Sequence, residues 1–119
     1  MSKTVLIVDD NEPIRKLLKG IAESAGYTTL SAENGEQALK LAKENKIDCA
    51  LIDQYMDPMD GFTLARQFDV IGQRFPMTMI TANESNDLLL QARKHGFISI
   101  MVKPVNPDRL LKILERMTR

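Results

Sequence analysis

Four short apolar runs each end on a residue able to act on a phosphoryl group or a divalent cation. VLIV is followed by Asp9 and Asp10, CALI by Asp53, MTMI by Thr81 and ISIMV by Lys103. Acids gathered in a low-dielectric crevice repel one another, and a hard divalent cation relieves that repulsion. An all-oxygen donor set suits Mg²⁺ or Mn²⁺ rather than zinc, and Mg²⁺ held by few carboxylates keeps positions for water and phosphate oxygens. The Lys103 ammonium can neutralise a phosphoryl group, and the Thr81 hydroxyl can donate to one of its oxygens. A carboxylate can also be the nucleophile that takes the phosphoryl group. The residue types therefore point to Mg²⁺-assisted phosphoryl transfer onto an aspartate.

Taken singly, each residue has an ordinary structural use. Asp9 and Asp10 could cap the following helix, Thr81 could be a strand-end hydroxyl, and Lys103 before Pro104 could be a solvated loop lysine. Asp53 opens the stretch DQYMDPMDG, where acids beside Pro and Gly are common turn chemistry. Their shared position at the ends of four separate apolar runs outweighs these readings. A calcium loop counted from Asp53 fails, because its sixth position is Pro58 and its twelfth is Leu64. His95 has no Cys or His companion at metal-binding spacing and reads as a helix C-terminal residue.

The elements that must position these groups follow from periodicity. Residues 5–8 form an uninterrupted, β-branched-rich strand, as expected where both faces are covered. Asp10-Asn11-Glu12-Pro13 starts a helix with Ile14, Leu17, Leu18, Ile21, Ala22 and Ala25 on one stripe, stopped by Gly26. Residues 28–32 read as a weaker strand, and Asn34-Gly35 opens a second helix. Residues 49–52 form the third strand, 61–71 the third helix, 77–80 the fourth strand, 84–95 the fourth helix and 98–102 the fifth strand. Asn106-Pro107 caps a last helix with Leu110, Leu111, Ile113, Leu114 and Met117 inward. Met77, Met79 and Met101 fall in strands, where gap-filling is their ordinary use. Alternating strands and helices predict a parallel sheet with right-handed crossovers and helices on both faces. In such a sheet, ligands bind off the carboxyl ends of the strands, which is where the candidate residues lie.

The totals set the outer limits. At 119 residues, 44% hydrophobic and 27% charged, the chain fits one domain, residues 1–119, with its own core. Sixteen basic residues balance sixteen acidic ones, so no global field recruits nucleic acid or an anionic membrane. Cys49, the only cysteine, sits in an apolar run and reads as a buried thiol in a reducing compartment. No apolar run has signal-peptide or membrane-spanning length, so the expectation is a cytoplasmic domain without membrane insertion.

In the order VLIVDDNEPIR, ALIDQYMDPMDG, MITAN and VKP, the chain resembles the receiver domain of two-component response regulators, the family of the bacterial chemotaxis regulator. The resemblance covers essentially the whole chain. It implies a flavodoxin-like (βα)5 sandwich with strand order 2-1-3-4-5. Asp53 would be the phosphoacceptor, with Asp9, Asp10 and the Tyr55 backbone carbonyl completing the protein's share of Mg²⁺ coordination. Thr81 would be the switch hydroxyl and Lys103 the phosphoryl-binding lysine. A sensor histidine kinase or histidine phosphotransfer protein would donate the phosphoryl group. The receiver would catalyse its own phosphorylation and dephosphorylation, acting as a switch rather than a metabolic enzyme. Its fourth helix, fifth strand and fifth helix would present the switched surface to a protein target or output domain, with a phosphorylation-dependent dimer left open. No output segment follows Arg119, so either a free-standing regulator or a receiver cut from a larger chain is expected.

The sequence also departs from the family pattern. Proline stands at Pro58, one place late, behind the extra acid Asp57, which reads as a solvated loop residue. Ile100 occupies the place three before the lysine where many members carry Tyr or Phe. Tyr55 and Asn83 lie two beyond the acceptor and the switch threonine, where they would govern the approach of water. Lys103-Pro104 is cis in many relatives. Two rival readings remain: a pseudo-receiver that signals without phosphorylation, and a haloacid dehalogenase-type phosphatase. Against the phosphatase, its second acid, two residues after the nucleophile, is here Tyr55.

Overall fold

The computed structural model describes residues 2–83 and 85–119. Their elements run β1 (Thr4–Val8), α1 (Glu12–Ser24), β2 (Thr28–Ala32), α2 (Gly35–Glu44), β3 (Cys49–Asp53), α3 (Gly61–Val70), β4 (Met77–Thr81), α4 (Asn86–Lys94), β5 (Phe97–Val102) and α5 (Pro107–Met117). The five strands form one sheet of order β2-β1-β3-β4-β5, with each neighbouring pair parallel. This is the flavodoxin-like order, and it puts the ends of β1, β3, β4 and β5 on one edge.

Strand alternation divides the core in two. Leu6, Val8, Ala50, Ile52, Met77 and Met79 face α2, α3 and α4, meeting Ala38, Ala42, Leu64, Phe68, Leu88 and Ala92. Val5, Ile7, Cys49, Leu51 and Ile80 face α1 and α5, meeting Leu18, Ile21, Leu110, Ile113 and Leu114. Covering both faces is why β1, β3 and β4 contain almost no polar residue. Asp53 and Thr81 stand at strand ends, and the polar residue buried mid-strand is Thr78, whose hydroxyl is satisfied by Ser99 Oγ at 2.8 Å. Burial pushes the Cys49 thiol up to about 12, so it stays protonated and unreactive at neutral pH.

In β5 the alternation breaks once. Met77 pairs with Phe97 but Thr78 pairs with Ser99, leaving Ile98 as the additional residue of a bulge. The insertion inverts the parity of the strand. Phe97 and Ile100 therefore pack toward α3 and α4, whereas Met101 packs toward α1 and α5.

Several boundaries differ from the sequence expectations. β3 continues through Asp53 and β4 through Thr81, so both functional residues belong to the ladder rather than to loops. α3 ends at Val70 with Ile71 as its cap, and α4 begins at Asn86 behind Ser85, whose hydroxyl accepts the Leu88 N–H at 3.1 Å. Glu84, the expected start of α4, lies outside the described residues. The cap of α1 is Asn11, which accepts from the Ile14 N–H at 3.0 Å. Asp9 and Asp10 are thereby free of the capping role. The peptide bonds Asp57–Pro58 and Lys103–Pro104 are both cis.

Candidate functional site at the carboxyl edge of the sheet

β1 delivers Asp9 to the edge, and its backbone N–H extends the ladder by donating to the Ala32 carbonyl at 3.1 Å. The Asp9 side chain is fully buried. Its Oδ1 accepts from the Asn11 N–H at 2.9 Å, whereas Oδ2 is buried and has no hydrogen-bond partner among the described residues. Arg15 donates to the Asp9 carbonyl at 2.7 Å and fixes the start of α1 against this turn. Asp10, next in the chain, is exposed. β3 delivers Asp53, which is only 4% exposed. One carboxylate oxygen from each of Asp9, Asp10 and Asp53 lies within 4.8 Å of the others.

The turn after Asp53 is held by close backbone packing. Gln54 donates its N–H to the Ile80 carbonyl at 3.0 Å, and its own carbonyl accepts from the Gly61 N–H at 2.9 Å. A Cβ on Gly61 would lie 2.6 Å from the Asp53 carbonyl oxygen, so only glycine lets α3 begin here. Asp60 caps α3 by accepting from the Thr63 N–H at 2.8 Å. The DG pair of DQYMDPMDG is thus a helix start pressed against the end of β3.

Lys103 leaves β5 with its N–H donating to the Thr81 carbonyl at 2.8 Å. Its ammonium donates to Asp53 Oδ1 at 3.2 Å and lies 3.8 Å from Asp9 Oδ2. Lys103 is therefore held against the acids and is not the solvated loop lysine that the sequence also allowed. Thr81 is fully buried; its hydroxyl donates to Gln54 Oε1 and accepts from the Asn83 N–H at 3.0 Å.

Charge is unbalanced within this cluster. Burial, and then the Asp9 charge, pushes the Asp53 carboxyl up to about 6 against the attraction of Lys103. Burial also raises the Asp9 carboxyl, opposed by the Asn11 N–H and by Lys103. Three carboxylates face one ammonium, and one buried carboxylate oxygen has no hydrogen bond. The donor set and an Asp9 Oδ2 without a hydrogen bond among the described residues both fit a hard divalent cation such as Mg²⁺.

The remaining sequence candidates sit around this centre. Tyr55 is 60% exposed on the rim. Asp57 is exposed and lies outside the cluster of three acids, lining a cavity of about 480 Å³ with Asp10, Tyr55, Pro58 and Asp60. Ile100 is half-buried and packed into the core. His95 caps α4 and its Nδ1 lies 2.8 Å from the Gln91 carbonyl. A larger cavity of about 690 Å³, lined by Phe68, Phe75, Met77, Arg74 and His95, lies away from the acids and touches none of them. One partner in the site escaped the sequence reading: Gln54, 7% exposed and bonded to Thr81. Its signal was a polar residue between a buried strand end and the glycine that packs on it.

A buried aspartate, two further acids and a lysine at the carboxyl edge of a 2-1-3-4-5 sheet are the framework of a receiver domain. The response regulator receiver domain profile matches residues 5–115, and the chain belongs to that family, a module of two-component signalling. It is similar to the phosphate regulon transcriptional regulatory protein PhoB of Pseudomonas aeruginosa, with 35% identity over all of this chain and 53% of PhoB. It also resembles the sporulation initiation phosphotransferase F of Bacillus subtilis, with 31% identity over 92% of this chain and 89% of that protein. The structure of the Vibrio cholerae chemotaxis protein CheY4 superposes with a TM-score of 0.93 at 31% identity, covering 98% of this chain and 99% of that one. The chain spans about half the length of PhoB, and a quarter of the Escherichia coli regulator GlrR.

Proposed function

We propose that this domain accepts a phosphoryl group from phosphohistidine onto the Asp53 carboxylate and thereby switches its interaction surface. The observation that carries the reading is the Lys103 ammonium, 3.2 Å from Asp53 Oδ1 and 3.8 Å from the Asp9 Oδ2 that accepts no hydrogen bond from the described residues. One Asp53 oxygen forms the new P–O bond as the P–N bond to the donor imidazole breaks, and the imidazole nitrogen keeps the electron pair. Lys103 stabilises charge on the equatorial oxygens, and burial of Asp53 keeps bulk water from competing. Asp9, Asp10 and Asp53, with the Tyr55 carbonyl, would hold Mg²⁺. Bound there, the ion would neutralise the crowded carboxylates and draw the phosphoryl oxygens toward Asp53.

The donor is a sensor histidine kinase or a histidine phosphotransfer protein in the cytoplasm. The phosphorylated domain hydrolyses its own acyl phosphate, with Tyr55 and Asn83 controlling access of water. The output surface comprises α4, β5 and α5, where Leu90 and Ile98 are 61% and 43% exposed. It engages a protein target or an output domain, as befits a chain spanning half the length of PhoB.

Beryllofluoride with Mg²⁺ mimics a phosphorylated aspartate, and titrating it while recording NMR spectra tests the reading. Saturable shifts at Asp53, Thr81 and Lys103 that vanish in Asp53→Asn are expected. An Asp53→Asn variant that responds like the parent protein would refute it, and so would a parent protein that does not respond.

A further inference from the structure

Thr81 and Gln54 form a closed pair beside Asp53. The Thr81 hydroxyl has a single proton, and that proton is donated to Gln54 Oε1 at 2.5 Å. The Thr81 hydroxyl oxygen itself accepts from the Asn83 N–H at 3.0 Å. Thr81 is fully buried and Gln54 is 7% exposed, so neither group exchanges freely with water. A primary amide at such a depth costs stability unless it is hydrogen-bonded. Gln54 is also fixed in place by its backbone, through the Ile80 carbonyl and the Gly61 N–H. Its side chain therefore starts from an anchored Cα, and its Oε1 accepts from the Thr81 hydroxyl.

We propose that Gln54 is a positioning residue that holds the Thr81 proton in the resting domain and must release it when an anion occupies the Asp53 site. The inference rests on the phosphoacceptor reading above. Thr81 can donate to a phosphoryl oxygen only by giving up Gln54, because it has no second proton. The new bond is charge-assisted and stronger, but Gln54 Oε1 is left buried without its donor. The exchange thus sets a threshold: part of the energy of phosphorylation is spent opening the Gln54–Thr81 pair. In this chain, where Ile100 carries no polar group, the resting position of the hydroxyl is set from β3 rather than from β5.

A double-mutant cycle on the full chain tests this, using Gln54→Met, which keeps the length of the side chain and removes its acceptor, and Thr81→Ala. The measured quantity is the affinity for beryllofluoride at saturating Mg²⁺, with the Asn83 amide shift reporting the state of the hydroxyl. With Thr81 present, Gln54→Met is expected to tighten binding about threefold to tenfold and to move the resting Asn83 amide toward its bound position. In the Thr81→Ala background the same substitution should change affinity less than about twofold. Gln54→Leu replaces Gln54→Met if circular dichroism shows that the methionine variant is unfolded. Equal effects in both backgrounds, no effect, or weaker binding with Thr81 present would overturn the latch while leaving the phosphoacceptor reading intact. A parent protein that binds no beryllofluoride would overturn both.

Discussion

The Lys103 ammonium donates to Asp53 Oδ1 at 3.2 Å across the ends of strands that are not neighbours, β3 and β5. β4 lies between them, and Thr81 at its end bonds the Lys103 backbone through its carbonyl. The side chain of Lys103 is thereby aimed back over β4 at the acid. Replacing Lys103 with Met, which keeps an unbranched chain of similar length and removes the charge, should leave the fold intact. Phosphoryl transfer to Asp53 from a small phosphoramidate should slow by about 10²–10³-fold. Single-turnover labelling read by intact-protein mass measures this.

The Asp53 carboxyl, raised to about 6 from its ordinary 3.8, makes the metal-free protein pH-sensitive in a defined direction. The folded state holds this proton to higher pH than the unfolded chain does. The contribution to stability is therefore fully present below pH 3.8 and is lost as pH rises through about 6. Asp9, also raised by burial, acts in the same direction. With a chelator present, urea-unfolding free energy should fall between pH 4 and 7, and Asp53→Asn should flatten the profile. At pH 7 the variant should be more stable by about 1–3 kcal/mol.

Mg²⁺ should reverse that loss. Its addition at pH 7 should raise the thermal midpoint, and removing it with a chelator should lower it again. Asp9→Asn and Asp10→Asn should each weaken Mg²⁺ binding by about tenfold or more, measured by calorimetry. Asp57→Asn should change it little, because Asp57 lies outside the acid cluster.

Gly61 tests the packing that supports the site. Gly61→Ala would force a Cβ to within 2.6 Å of the Asp53 carbonyl oxygen, a backbone atom that cannot swing away. A loss of roughly 1–3 kcal/mol in urea unfolding is expected. Weaker Mg²⁺ binding should accompany it, because the displaced backbone carries Asp53.

Asp9, Asp10, Asp53, Thr81 and Lys103 were legible in the sequence because each ends an apolar run, and parallel strands bring run ends to one edge. The two-sided core was equally legible, since β1 and β3 are apolar without alternation. The bulge at Ile98 was not, because β5 reads as an unbroken apolar run whether or not a residue is inserted. Capping by Asn11 was hidden for another reason: Asp9, Asp10 and Asn11 all have capping side chains, and only the backbone turn selects among them. Gln54 was missed because β3 was read as ending at Ile52, which left the glutamine in the stretch after the strand with no role assigned to it. In fact the ladder runs on through Asp53, and Gln54 donates to Ile80 in register.

Trapping the phosphorylated residue tests the central claim most directly. The protein is incubated with a phosphoramidate and Mg²⁺, reduced with borohydride, which converts an acyl phosphate to the alcohol, and mapped by peptide mass spectrometry. Homoserine at position 53, dependent on Mg²⁺ and absent at Asp9, Asp10 and Asp57, is the result this account predicts. Labelling at another acid, or none at Asp53 under conditions where the folded protein binds Mg²⁺, would contradict it.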